Sequence, residues 1–189
     1  MTAKTTTSGA SRTTAKSQTD AITLLSEDHK EVKKLFKAFE KLVGSDDSEK
    51  KQELAEQICH ALTIHAEIEE EIFYPAARAS IDDDDLLNEA EVEHASAKDL
   101  ITQLQAMSPS DEMFDAKVTV LGEYIDHHVQ EEENEMFPKV KKAKLNLADL
   151  AEQMSARKAE LTETLGVGIS AGSLAGRSKS ASAGKSARG

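Results

Sequence analysis

Between residues 20 and 165, apolar side chains recur at intervals of three and four, the period at which one face of an α-helix repeats. The first stripe is Leu25, His29, Val32, Phe36, Phe39 and Val43, and Gly44 follows it as a helix-ending glycine. A second stripe, with Ser48 placed to cap it, runs Leu54, Ile58, Ala61, His65, Ile68 and Ile72. The acidic run 82–85 favours a helix start and lacks the spacing of an EF-hand loop. Behind it lie Leu87, Ala90, His94, Ala97, Ile101 and Leu104. Ser108-Pro109-Ser110 breaks the chain before Phe114, Val118, Leu121, Ile125, His128 and Glu132. A shorter fifth stripe carries Leu147, Leu150, Met154, Leu161 and Leu165. Four amphipathic helices of about 20–30 residues with short connections predict an all-α, up-down antiparallel four-helix bundle. The fifth helix is expected across an outer groove or an end.

Polar residues interrupt these stripes in a pattern. His29, His65, His94 and His128 fall one per helix, each in register with the buried face. A bundle interior offers few partners for four imidazoles, and each left unpaired costs about 1–3 kcal/mol. A shared metal removes that cost. Glu69 and Glu132 follow His65 and His128 by four residues, so each carboxylate lies on the same face as its histidine. Buried carboxylates are costly alone and favourable beside dications. The two pairs belong to an internal repeat, His-x3-Glu-Glu-x4-Pro, at His65-Glu69-Glu70-Pro75 and His128-Glu132-Glu133-Pro138. Six donors, four imidazole and two carboxylate, suit two ions with open positions rather than one saturated ion. The donor types favour iron, manganese or zinc over copper(I) or calcium.

The set His29, His65-x3-Glu69, His94, His128-x3-Glu132, with its Glu-Glu and aromatic-Pro flanks, resembles the hemerythrin-like HHE cation-binding domain over roughly residues 20–160. The resemblance implies an up-down bundle around an oxo- or hydroxo-bridged pair of iron ions that binds dioxygen or a related small molecule. His29 and His65 would bind one iron, His94 and His128 the other, and Glu69 and Glu132 would bridge them. Oxygen-carrying members use a fifth histidine, where this chain has Lys98, and a second carboxylate one residue further along than Glu132. The departure points from simple oxygen carriage toward relatives that respond to oxygen, peroxide, nitric oxide or iron. Peroxide detoxification of a catalase or peroxidase kind is the enzymatic alternative, and iron buffering or a zinc-stabilised interaction bundle the structural one. Tyr74, Tyr124 and His60 are candidates for the missing ligand.

Other residues are read more plainly. His127 neighbours His128 but lies about 100° round the helix, so it is expected to be exposed, with Glu131 one turn on. Glu70 and Glu133 stand where they could hydrogen-bond a ligand imidazole from behind. Tyr74 and Phe137 are expected to pack at the bundle end, and Cys59 in the core.

Charge changes the picture at the ends. Of 23 basic and 35 acidic residues, three and one lie in residues 1–20, and four and none in 166–189. That leaves 16 bases and 34 acids in residues 21–165, a body that does not suit specific nucleic-acid binding. Residues 1–19 and 166–189 are Ser-, Thr-, Ala- and Gly-rich with few bulky side chains, and are expected to be disordered basic tails flanking a domain at 20–165. The tails could reach a protein partner. No apolar run nears the roughly 18 residues of a membrane span, residues 1–20 lack a secretory apolar stretch, and a single cysteine excludes an internal disulfide. A cytoplasmic location follows as the expectation.

Overall fold

The computed structural model describes the backbone of residues 19–177 and the side chains of residues 19–165. Helix α1, Ala21–Glu40, starts where the Asp20 carboxylate accepts the Thr23 N–H at 2.8 Å. The chain turns over at Gly44, whose φ of +76° suits a residue without a Cβ. Helix α2, Ser48–Ile68, is capped by the Asp47 side chain accepting the Lys50 N–H at 3.2 Å. Asp47 therefore takes the capping role expected of Ser48, a carboxylate being at least as good an acceptor there. A π-helical turn, Glu69–Phe73, joins α2 to α3, Tyr74–Arg78.

The second half repeats this plan. Helix α4, Asp84–Gln105, is capped by Asp83, within the acidic run. Helix α5, Phe114–Glu131, passes through a π-helical turn, Glu132–Met136, into α6, Phe137–Lys142. Each long helix packs on two neighbours in the cycle α1, α2, α4, α5, which makes the predicted four-helix bundle. Among the described residues there are no strands.

Helix α7, Leu147–Arg177, lies across α1, α2 and the first π turn, an outer groove as expected. Met154 and Ala151 are buried in that groove. The anticipated boundary at 165 falls inside this helix, whose backbone hydrogen bonding runs on to Arg177. Of the expected tails at 1–19 and 166–189, residues 1–18 and 178–189 lie outside the described residues.

Apolar burial divides into two clusters. One, at the proline end, holds Leu25, Ile68, Phe73, Leu87, Met136 and Val140; the other holds Val32, Phe39, Ile58, Leu104, Phe114 and Leu121. Each large side chain fully buried contributes about 1.5–3 kcal/mol. Val43, placed on the first stripe by its spacing, is 49% exposed because α1 ends before it. The second helix buries a broader face than its stripe, adding Ala55, Cys59, Leu62 and Ala66. On every helix the histidine sits where one cluster passes into the other, so the four form a polar layer across the bundle. On the α1/α5 side the helices pass closely at Gly122, where a Cβ would come within 3.1 Å of the Phe36 ring.

Candidate metal centre

The polar layer brings the six expected donors together. His29 Nε2 and His65 Nε2 lie 3.1 Å apart, and so do His94 Nε2 and His128 Nε2. With ligand bonds near 2.0–2.1 Å, neighbouring donors on one tetrahedral or octahedral ion are about 2.9–3.4 Å apart. Each imidazole pair therefore has the separation of two ligands on one ion. The carboxylates link the pairs. Glu69 Oε2 is 3.2 Å from His65 Nε2 and 3.4 Å from His94 Nε2. Glu132 Oε2 is 3.3 Å from His29 Nε2 and 3.6 Å from His128 Nε2. Each glutamate thus touches one imidazole of each pair.

Two π turns begin at these glutamates. Pro75 and Pro138 have no N–H to donate, and in a regular helix their rings would meet the carbonyl four residues earlier. The chain answers with bonds one residue longer, from Tyr74 N–H to the Glu69 carbonyl and from Phe137 N–H to the Glu132 carbonyl. Such turns concentrate at functional sites. Here they aim a carboxylate and the aromatic ring five residues on into the same interior.

Behind the imidazoles stands a carboxylate for each Nδ1. His29 Nδ1–H donates to Glu133 at 3.0 Å, His94 Nδ1–H to Glu70 at 3.0 Å, and His128 Nδ1–H to Glu93 at 2.7 Å. His65 Nδ1 faces Asp28 at 3.7 Å. A proton held on Nδ1 leaves the Nε2 lone pair pointing inward for a metal. Glu70 and Glu133 match the sequence expectation. Asp28 and Glu93 were missed, although an acid immediately precedes the histidine in both halves.

One position breaks the symmetry. Tyr74 is not at the bundle end: its hydroxyl enters the layer, donates to Glu132 Oε1 at 3.0 Å, and lies 3.3 Å from His94 Nε2. Its counterpart Phe137 stacks on the His29 ring at 5.9 Å. Tyr124, half exposed, and His60 stay out of the layer. His127 is exposed as expected, with its Nε2 near Glu93 and Glu131 on the surface.

The electrostatics call for cations. Glu69 is 0% and Glu132 1% exposed. Burial, reinforced by Glu132, pushes the Glu69 carboxyl well above its usual range. Burial acts the same way on Glu132, but His128 and His29 overcome it and hold that carboxyl low. Burial also drives the His65 imidazole down to about 4, and the Tyr74 phenol up, the latter aided by Glu132 and Glu69. Both Glu69 oxygens and Glu132 Oε2 are buried without any hydrogen-bond donor. Such orphaned acceptors are costly in a protein interior and are natural metal ligands. The donor set and its unsatisfied atoms fit a pair of divalent or trivalent ions.

Two spaces adjoin the layer. A cavity of about 20 Å³ touches all four histidines and is otherwise lined mainly by apolar side chains such as Val32, Leu62 and Ile101. An open groove of about 300 Å³ between α1 and α5 reaches His29, Ile125 and Val129, which the cavity also touches.

The family described as hemerythrin HHE cation binding domain matches residues 20–140. A solved structure of an HHE cation-binding-domain protein from Mycobacterium kansasii is similar with a TM-score of 0.65 and 26% identity, covering 77% of this chain and 88% of that one. A protein of Nostoc sp. (strain PCC 7120) called a DNA nickase is 33% identical over 141 residues, 74% of this chain. The chain spans 39% of that relative's length.

Proposed function

The chain belongs to the hemerythrin HHE cation-binding family, and from that premise we propose that it holds a pair of iron ions and binds or senses dioxygen or a related small oxidant such as peroxide or nitric oxide. His29 and His65 would hold one ion and His94 and His128 the other, with Glu69 and Glu132 each placed within reach of both. The observation that carries this reading is the pair of 3.1 Å imidazole contacts flanking a fully buried Glu69 whose two oxygens have no protein donor. When bound, the metal pair supplies open coordination positions and exchangeable electrons.

The chain's own residues do the rest. Glu133, Glu70 and Glu93 fix three imidazoles in the tautomer that presents Nε2 inward. The apolar walls keep bulk water from the layer, and the small cavity has room for one or two heavy atoms rather than an organic substrate. Tyr74 Oη holds a proton at Glu132 Oε1, within reach of the His94/His128 side.

Metal analysis of the purified chain should return close to two irons, with near-ultraviolet absorption that changes on exposure to oxygen. His128→Ala should lose metal and His127→Ala should keep it. Equal loss in both, or no iron and an unchanged melting temperature on chelation, overturns the reading. Zinc in place of iron would keep the site and remove the redox role.

Peroxide turnover is a second reading, favoured by the Tyr74 hydroxyl, a proton donor inside the layer. Oxygen release from peroxide that depends on His128 and not on His127 would select it. The nickase name describes a longer protein. With 34 acids against 16 bases in residues 21–165, the chain is expected to nick supercoiled plasmid no faster than free metal does.

A further inference from the structure

The two halves of the layer are related residue by residue, and besides Tyr74 and Phe137 a second relation fails. In the second half Glu93, just before His94, accepts the His128 Nδ1–H at 2.7 Å. Its counterpart Asp28, just before His29, stands 3.7 Å from His65 Nδ1, beyond hydrogen-bond reach. Both Asp28 Oδ2 and His65 Nδ1 are buried without a hydrogen-bond partner. The other Asp28 oxygen accepts a hydrogen bond from the Lys158 ammonium of α7. Helix α7 covers the α1/α2 side, and its residues lie beyond the matched family segment. On the α4/α5 side Glu93 has the exposed His127 beside it instead of a lysine.

A lysine on the carboxylate does not by itself break such a bond. Lys98 binds Glu70 Oε2 at 2.6 Å while Glu70 Oε1 stays on His94 at 3.0 Å. Glutamate has the extra methylene to serve both partners. Aspartate is shorter, and on α1 its carboxylate satisfies Lys158 and leaves His65 unbonded.

We propose that Lys158 makes the two metal positions unequal, by drawing Asp28 off His65 and so weakening the His29/His65 position relative to the His94/His128 position. A carboxylate behind a ligating imidazole raises its basicity, and loss of such a partner typically changes metal affinity about 10–100-fold. The Lys158 charge acts in the same direction, opposing a cation bound nearby. Lys158 is a positioning residue, and its role presupposes the paired-metal reading above.

The sign of one substitution tests this. The metal-free full-length chain is titrated with cobalt(II) against a chromophoric chelator, which reads both dissociation constants without any turnover. Wild type should show two unequal steps. Lys158→Gln should tighten the weaker step about tenfold, bringing it toward the stronger, and Lys158→Arg should leave both as they were. In an Asp28→Asn background, Lys158→Gln should lose most of that tightening, keeping only the weaker through-space effect of the removed charge. The Lys158 side chain is 35% exposed, and Gln keeps much of its covered stem, leaving Ala151 and Met154 on the buried face of α7 untouched. If Lys158 merely docks α7, Lys158→Gln loosens metal or leaves it unchanged while wild type still takes up two ions, and the proposal falls alone. A wild type that binds no cobalt takes the paired-metal reading down with it.

Discussion

At Tyr74 a hydroxyl enters the layer where the other half has the Phe137 ring. It is the one protein donor to Glu132 Oε1 among the described residues. Tyr74→Phe should therefore destabilise the metal-free protein by about 1–3 kcal/mol, the usual cost of an orphaned buried acceptor. The metal-loaded form should lose less, since a cation neutralises the same carboxylate. Thermal melts with and without chelator measure the difference, and an equal loss in both would show that the hydroxyl acts through packing alone. Cys59 makes a second residue-scale case. Burial, aided by Glu56, raises its thiol to about 11. The native protein at pH 7–8 then holds almost no thiolate there, and a thiol reagent should react only as fast as the chain opens. Rapid stoichiometric labelling of the folded protein would contradict this. The carboxylates behind the imidazoles were half legible at this scale. Glu70 and Glu133 follow the repeat and drew notice, whereas Asp28 and Glu93 precede lone histidines, where nothing local says which way an acid points.

At the scale of elements, the π turns and the α1/α5 groove matter most. A helical period cannot reveal a one-residue insertion, although Pro75 and Pro138, just beyond the ends of the stripes, were the visible cause. The groove exists because Gly122 lets α1 and α5 meet at Phe36 while Val129 and Ile125 stay short of closing the way to His29. Val129→Phe should leave the metal content unchanged and slow the binding of nitric oxide, read by stopped-flow absorption. Unchanged rates would mean that small molecules arrive elsewhere. Helix α7 is held by Arg157, which donates to both Glu71 oxygens at 2.7 and 2.9 Å. The Arg157 hydrogen bonds hold the Glu71 carboxyl below its ordinary 4.5. A depressed carboxyl adds stability that is complete above its unfolded value and is lost as the pH falls through its folded one. Docking of α7 should thus be pH-independent near neutrality and loosen only below about pH 4.5, and Glu71→Gln should shrink that acid step in hydrogen exchange of α7 amides, the Asp28–Lys158 pair supplying the remainder.

For the whole molecule, stability and metal are linked. A ligand that binds only the folded state adds about 4 kcal/mol at a thousandfold excess over its Kd. Chelation should therefore lower the melting temperature of wild type by many degrees and that of His128→Ala by little. Identical shifts would argue that the layer binds no ion. Shortening the chain to residues 19–177 should leave metal content and melting temperature unchanged, because every donor and both apolar clusters lie within 21–165. No helix among the described residues is long and apolar enough to cross a membrane.

The linear order of residues determined the helices, their inward faces and the six donors, because a helix places every third or fourth residue on one side whatever it later packs against. It also announced the duplication, since identical offsets survive in any fold. Only tertiary packing decided which imidazoles pair, that each glutamate spans the two pairs, that Tyr74 enters the layer, and that α7 lays Lys158 on Asp28. Those contacts between helices join residues from 20 to 130 positions apart, and no local periodicity carries the rotation of one helix against another that brings them within a few ångströms.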